Sequence, residues 1–354
     1  MKQFHRLRVA RVERETSDSV RIALEVPGDL REQYGFQAGQ HIPVQTTLDG
    51  RLTRRTYSIC SAPGQWPLEI GVRVQPHGRF SGFAGGRLAA GDELEVMPPF
   101  GQFHATVEPD RARTLIAFAA GSGITPILSI LRATLEQERG SRCALFYGNR
   151  RQRSAMFIDD LHALKNRFPE RLQLYFLFSR EEQEFPVFGG RLDEEKTREL
   201  YRTFCVGLSP DDVFVCGPDT MIDSVRNALL SLGVTADTVH VERFGAPRRQ
   251  ATTAPDARRA ADAEITVVMD GHRKSFGMSA EDDNIVDAAA AQGIELPYSC
   301  KGGVCATCRT WVAEGEVRMA SNYGLEPWEV EQGFALACQS RPVSRTVVLD
   351  YDKT

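Results

Sequence analysis

Four of the chain's eight cysteines gather near its end. Cys300-Lys-Gly-Gly-Val-Cys305-Ala-Thr-Cys308 has the spacing C-x4-C-x2-C, and Cys338 follows after a gap of 29 residues. In a reducing compartment such a cluster reads as metal or redox chemistry rather than as a disulfide framework. The spacing suits a [2Fe-2S] cluster, because two sulfide-bridged irons need four thiolates converging from a loop that wraps them. Gly302 and Gly303 would let backbone amides reach the sulfurs with no Cβ in the way, and such bonds favour the reduced, more negative cluster. The alternatives are a zinc site with four cysteine ligands, which usually takes paired C-x2-C units where only one occurs here, or plain buried cysteines. Cys60, Cys143, Cys205 and Cys216 are scattered.

Three further groups could bind phosphate or a ring. In Arg55-Thr56-Tyr57-Ser58, alternation on a strand puts Arg55 and Tyr57 on one face and Thr56 and Ser58 on the other. The arginine can grip a phosphate and the serine hydroxyl can reach a flavin nitrogen; the plainer reading is a cross-strand pair. Gly78-Arg79-Phe80-Ser81 could present backbone amides to a second phosphate. Gly121-Ser122-Gly123 follows an apolar run, and Thr125-Pro126 supplies an N-cap and a proline at the first position of a helix bearing Ile127, Ile130, Leu131 and Leu135. A glycine turn at a helix N-terminus suits the pyrophosphate of a dinucleotide, though a tight strand-to-helix turn would look the same. Cys216-Gly217-Pro218 closes another strand, where ligands of open parallel sheets bind; a small cysteine packing the strand end is the alternative. Asn149-Arg150-Arg151 and Ser179-Arg180 place cations and a hydroxyl where a ribose-binding acid would otherwise stand, which favours NADPH over NADH. The seven histidines show no ligand spacing and read as structural or surface residues.

Three kinds of scaffold must hold these groups. From Arg6 to about Val107 the pattern has period two, broken by turn signals such as Asp49-Gly50 and Pro98-Pro99, which predicts an antiparallel β-barrel or sandwich. From Thr114 onward, apolar runs at Leu115–Ala120, Ala144–Tyr147, Leu172–Phe178, Val213–Cys216 and Val239–Glu242 alternate with helical stretches, which predicts an α/β domain with a five-stranded parallel sheet. Ala246 to Asp262 has two prolines, no aromatic residue and no apolar periodicity, the composition of a linker. Beyond it lie a hairpin over Glu264–Met269 and Arg273–Phe276, a helix near Asn284–Gln292 and the cysteine loop, a small α+β module. The expected domains are 1–108, 109–246 and 263–354, with 247–262 as linker.

At 354 residues, 42% hydrophobic, 25% charged and net −4, the chain has a globular composition that excludes a disordered or collagen-like protein. No run of about 18 apolar residues occurs to span a membrane, and Met1 to Glu15 alternate where a signal peptide needs an apolar block, so the expected compartment is the cytoplasm. Residues 263–354 carry 8 basic and 14 acidic side chains, net −6. That charge could steer the module toward a basic partner and argues against nucleic acid; a solvated surface explains it equally well.

Arg55-Thr-Tyr-Ser58, Gly121-Ser-Gly-Ile-Thr-Pro126 and Cys216-Gly-Pro218, in that order, resemble the ferredoxin-NADP reductase superfamily of flavin barrels joined to a pyridine-nucleotide domain. With the cysteine module at its end, a β-grasp-like ferredoxin domain by resemblance, the chain resembles the reductase components of bacterial multicomponent oxygenases. Gly39-Gln-His41, Tyr147-Gly-Asn-Arg150, Leu296-Pro-Tyr298 and Asn322-Tyr-Gly-Leu-Glu-Pro327 extend the resemblance to nearly the whole chain, with the linker its weakest stretch. The resemblance implies that Arg55 holds a flavin phosphate, that Tyr57 and Ser58 contact the ribityl chain and ring beside Thr56, and that Val72 to Val74 touch the ring edge through backbone. Gly78, Arg79, Phe80 and Ser81 would take the remaining phosphate, favouring FAD over FMN, and Phe244 would cover the flavin unless it is a core residue. Gly121, Gly123, Thr125, Pro126, Asn149, Arg150, Ser179, Arg180, Gly217 and Pro218 would bind the nucleotide. Ser58 and Cys216 would act at the site of hydride transfer, and Cys300, Cys305, Cys308 and Cys338 would hold the cluster. The implied partner is a di-iron oxygenase. Another aromatic-ring dioxygenase or hydroxylase, or a redox sensor or carrier, remains the alternative.

Overall fold

The computed structural model describes residues 3–244, 262–298, 300–325 and 327–353. The chain divides into two compact units at Phe244 and Gly245. In the first, β1 (His5–Thr16), β2 (Ser19–Glu25), β3 (His41–Leu48), β4 (Arg51–Ser58), β5 (Leu68–Arg73) and β6 (Glu93–Val96) form an antiparallel sheet in the order β4-β3-β6-β1-β2-β5. An Ile59–Ile70 bridge joins its two edges and closes the barrel. Asp49 and Gly50, with φ of 51° and 70°, make the two-residue turn whose left-handed backbone matches the twist of β3 and β4. Helix α1 (Arg79–Gly86) is hidden in the sequence by three glycines, and it docks on the barrel through Phe80 and Ala84, one turn apart.

The α/β half follows: β7 (Thr114–Ala120), α2 (Ile124–Gln137), β8 (Arg142–Asn149), α3 (Ile158–Arg167), β9 (Leu172–Phe178), α4 (Glu194–Phe204), β10 (Asp212–Gly217), α5 (Asp219–Ser231) and β11 (Val239–Arg243). Its five strands are all parallel, ordered β11-β10-β7-β8-β9, so the chain reverses its direction of growth at β7. The crevice at such a reversal, outside the carboxyl ends of the strands, is where open α/β sheets bind ligands. One local expectation is corrected: Thr125 is not the N-cap. Gly121–Gly123 form a 3₁₀ turn, Gly123 caps α2, and Thr125 lies in the first turn with its hydroxyl donating to Ser122 O at 3.0 Å. Pro126 fits there because the first-turn N–H groups have no intrahelical acceptor.

Barrel and α/β half are clamped by charge. Arg21 of β2 pairs with Glu15 of β1 at 3.0 Å and with Asp160 of α3, and Asp160 also takes Arg132 of α2. Arg132 in turn donates to Cys60 O at 2.9 Å, beside the barrel seam.

The second unit holds β12 (Ala263–Met269), β13 (His272–Met278), α6 (Ile285–Ala291), β14 (Arg309–Glu314), β15 (Val317–Met319), α7 (Pro327–Glu331), β16 (Phe334–Leu336), β17 (Ser340–Pro342) and β18 (Thr346–Asp350). The main sheet runs β13-β12-β18-β14-β16, and α6 buries Ile285, Val286, Ala288 and Ala289 in the same core as Ile265 and Leu349. Asn284 caps α6 by accepting Asp287 N at 3.0 Å. The expected linker lies, except for Asp262, outside the described residues. Among the described residues no helix is long and apolar enough to cross a membrane.

Candidate functional site

β4 ends on Ser58, whose strand partner is His41 at the start of β3. β10 carries Cys216 near its carboxyl end, opposite Glu242 of β11. These pairs meet where the barrel faces the α/β half: Ser58 Oγ donates to Glu242 Oε2 at 3.2 Å, and His41 Nδ1 lies 3.3 Å from Glu242 Oε1. Ser58, His41 and Glu242 are each under 10% exposed and Cys216 is fully buried. A buried carboxylate needs donors, so the His41 proton belongs on Nδ1. The ring stands edge-on to Phe100 at 4.7 Å, and Gly101, with φ of 128°, leaves no Cβ to strike it. Burial first, then the Glu242 charge, push the Cys216 thiol well above its usual range, so it stays neutral and shapes the site rather than attacking anything. Gly123 presses so closely on β10 that a Cβ would run into the Cys216 carbonyl.

On the barrel side, half-buried Tyr57 packs on Phe80 at 5.3 Å, and desolvation lifts its hydroxyl above the usual range against the pull of Arg55. The regular β3–β4 register keeps Arg55 and Tyr57 on one face. Arg55 is exposed, and Val72 is buried beside half-buried Val74. Gly78 caps α1, and the helix geometry leaves the N–H groups of Arg79, Phe80 and Ser81 without intrahelical acceptors, a ready anion site. Ser81 Oγ accepts Gln75 N at 3.1 Å and fixes the turn. Arg79 reaches back to Leu48 O at 2.6 Å.

On the nucleotide side, Gly121 takes a φ of 57° and its carbonyl accepts from Tyr147 Oη at 2.9 Å, which fixes the turn after β7. Ser179 N bonds Asn149 O at 3.0 Å and Arg180 N bonds Arg150 O at 2.9 Å, so the ends of β8 and β9 lie side by side with both arginines exposed. The amide of Asn149 is buried at the carboxyl end of β8, beside the Tyr147 hydroxyl. Pro218 caps α5 immediately after Gly217. Phe244 is 46% exposed, which excludes the core alternative for it.

In the second unit Cys300 and Cys305 lie side by side, the backbone N–H of each donating to the other's sulfur at 3.4 Å, and Cys308 and Cys338 are buried together in the core of that unit. Four cysteines in this order suit a centre of two metal ions with two thiolates each. Gly302 N and Cys305 N donate to Cys300 Sγ at 3.2 and 3.4 Å, and Cys300 N donates to Cys305 Sγ at 3.4 Å. The bond with Cys305, aided by these amides, draws the Cys300 thiol down to about 5. Gly303, at φ 74°, has no room for a Cβ, which would sit 2.9 Å from Ser321 O. A loop that turns amides toward sulfur and admits only glycine fits an iron-sulfur cluster.

Known proteins agree. The family model of the oxidoreductase FAD-binding domain matches residues 6–105, that of the oxidoreductase NAD-binding domain residues 117–227, and that of the 2Fe-2S iron-sulfur cluster binding domain residues 268–343. One of the subunits of 1,2-phenylacetyl-CoA epoxidase from Escherichia coli K12 is 42% identical over 99% of both chains. This chain belongs to the ferredoxin-NADP reductase superfamily, in the branch with a 2Fe-2S domain. The ferredoxin reductase component of 3-ketosteroid-9-alpha-monooxygenase from Rhodococcus rhodochrous is 31% identical, over 98% of this chain and 96% of its own. The solved structure of phthalate dioxygenase reductase, 26% identical, covers 98% of both chains with a TM-score of 0.61.

Membership in the branch makes the chain an oxidoreductase with flavin, nicotinamide-nucleotide and iron-sulfur domains. Sequence reading missed two residues of its buried junction. Glu242 was read only as the end of a strand leading to Phe244, and His41 entered only as part of the Gly39-Gln-His41 resemblance, with no role of its own. Neither carries a local signal, since each acquires its partner only when β11 meets the barrel.

Proposed function

We propose that this chain is the NADPH-dependent reductase component of a multicomponent oxygenase acting on phenylacetyl-CoA. The division of labour is a flavin barrel at 1–108, a nucleotide domain at 109–246, a linker at 247–262 and an iron-sulfur domain at 263–354. The carrying observation is the bond between Ser58, on the strand with the flavin signature, and Glu242, the register partner of Cys216. When bound, FAD accepts a hydride and gives up single electrons, and a [2Fe-2S] centre carries one electron at a time.

The chain's own residues set the geometry. Glu242 holds the Ser58 hydroxyl in one orientation through Oε2 and is itself fixed by His41 through Oε1, so a ring placed against Ser58 meets a preorganised polar group. The neutral Cys216 thiol and the close Gly123 backbone fix how near a nicotinamide can come, which is what hydride transfer requires, since it needs alignment and no acid or base. Arg55 and the α1 N-terminus would hold the flavin phosphates, and the α2 N-terminus the nucleotide pyrophosphate. Arg150, Ser179 and Arg180 would select the 2′-phosphate of NADPH. Each thiol pair would hold one iron.

The choice of oxygenase partner is supported by the 42% identity to the epoxidase component, against 31% to the ketosteroid reductase component. Reconstitution tests it: NADPH consumption coupled to epoxide formation is expected with the purified oxygenase components of phenylacetyl-CoA epoxidase. Coupling only to an aromatic-ring dioxygenase would replace this partner.

A further inference from the structure

The loop that carries Cys300, Cys305 and Cys308 is flanked by the chain that follows β15. Tyr323 N donates to Gly303 O at 2.9 Å. A Cβ on Gly324 would stand 2.7 Å from Val304 O and 3.2 Å from Ala306 N, so the two backbones touch. Asn322 closes the flanking turn by accepting Leu325 N at 2.9 Å, and Leu325 is buried. Helix α7 is tied to the same loop: Arg309, next to Cys308, donates through Nε to Glu329 Oε1 at 2.7 Å, and Glu329 is buried. The side chains this flank turns outward are apolar. Tyr323, Trp328 and Val330 are 47%, 52% and 40% exposed, and the only other large apolar side chain exposed among the described residues of the second unit is Val343. Single exposed apolar residues need no explanation, but three within the eight positions 323–330, on the flank of a redox loop, do.

Charge says what fits there. Residues 321–331 contain Glu326, Glu329 and Glu331 and no basic residue, within a domain of net −6. The two cations of the cysteine loop, Lys301 and Arg309, are already paired with Asp287 and Glu329, while Glu331 is exposed. An electron held at this loop passes to whatever protein comes up against it. We propose that Tyr323, Trp328 and Val330 form the docking face for the electron-accepting oxygenase subunit, which meets them with an apolar pocket inside a basic rim. This rests on the reductase reading above and adds the surface through which it works. Tyrosine and tryptophan are favoured interface anchors, and transient electron-transfer contacts are small, below about 1,200 Å², so two aromatic anchors suffice to set the affinity. The acidic surround steers the approach and makes it salt-dependent.

The test uses the full-length protein loaded with its cofactors, as wild type, Trp328→Ala, Tyr323→Ala and Glu331→Lys. The acceptors are the purified oxygenase components of phenylacetyl-CoA epoxidase and, separately, cytochrome c, a small basic one-electron acceptor. Trp328→Ala is expected to raise the KM for the oxygenase about tenfold, and Tyr323→Ala somewhat less, with kcat at saturating oxygenase, NADPH-to-ferricyanide activity and the cluster band unchanged. Glu331→Lys should raise it about threefold at low salt, an effect that fades at high salt. A KM unmoved by Trp328→Ala and by Glu331→Lys overturns the face. Should Trp328→Ala lose the cluster band, Tyr323→Ala and Glu331→Lys decide, and an unmoved KM in both overturns it equally. A wild type that couples to no epoxidase component fails the proposed partner instead; the face then stands if the same variants raise the KM for cytochrome c and falls if they do not.

Discussion

In the first unit the reactive residues come from far apart in sequence: Ser58 meets Glu242 across 184 positions, and His41 meets the same carboxylate across 201. In the second, the amides of Gly302 and Cys305 that serve Cys300 lie 2 and 5 positions away. The first site thus exists only while the barrel and the α/β half stay packed; most of the second is a property of one loop. The difference teaches that damage to the two should separate, and that the hydride site is the more sensitive to substitutions distant from it.

The strongest challenge to that separation is Cys305→Ser. One missing thiolate leaves an incomplete pair, so iron, sulfide and the visible cluster band should be lost, while NADPH-to-ferricyanide activity persists. Loss of both together would show that the sites depend on each other. Next comes Ser58→Ala, which removes the hydroxyl that Glu242 orients. Stopped-flow reduction of the flavin by NADPH should slow by about 100-fold with flavin content and cluster spectrum unchanged; an unaltered rate would exclude Ser58 from the site.

Distance sensitivity is sharpened by Asp160→Ala, which breaks the clamp shared by Arg21 and Arg132. These side chains are about 16% exposed, so the pair is largely buried, and the loss should be about 2 kcal/mol. Thermal unfolding followed by flavin release should fall by several degrees while the cluster band melts as before. Arg180→Ala should raise the KM for NADPH about tenfold, worth about 1.4 kcal/mol, with that for NADH little changed; equal effects on both would argue against a 2′-phosphate contact.

The smallest effect is in pH. Burial works against ionised Asp212, but hydrogen bonds from His240 and Arg113 outweigh it and hold the carboxyl below its ordinary 3.8. A depressed carboxyl stabilises the fold above that ordinary value and loses its contribution as pH falls through the lower, folded one. The stability gap between wild type and Asp212→Asn should be full at neutral pH and close in acid below 3.8.

Spacing alone disclosed the cysteine site, because a loop that wraps a cluster writes its ligands at fixed short offsets. The five parallel strands and the β12–β13 hairpin were equally legible, since apolar runs bounded by turns declare themselves. Helix α1 was not, its glycines masking a two-point contact through Phe80 and Ala84, and the start of α2 fell two residues from where Thr125-Pro126 suggested. Glu242 and His41 were illegible for one reason: an acid and a histidine in strands look like any others until a distant partner gives them meaning.

The claim that two-electron and one-electron chemistry share this polypeptide is tested most directly by anaerobic titration of the full-length protein with NADPH, followed by visible absorption and calibrated by flavin, iron and sulfide analysis. The account predicts about one FAD, two irons and two sulfides per chain, with flavin and cluster bands both bleaching as NADPH is added. A chain holding zinc without sulfide, or a cluster that stays oxidised beside fully reduced flavin, would contradict it.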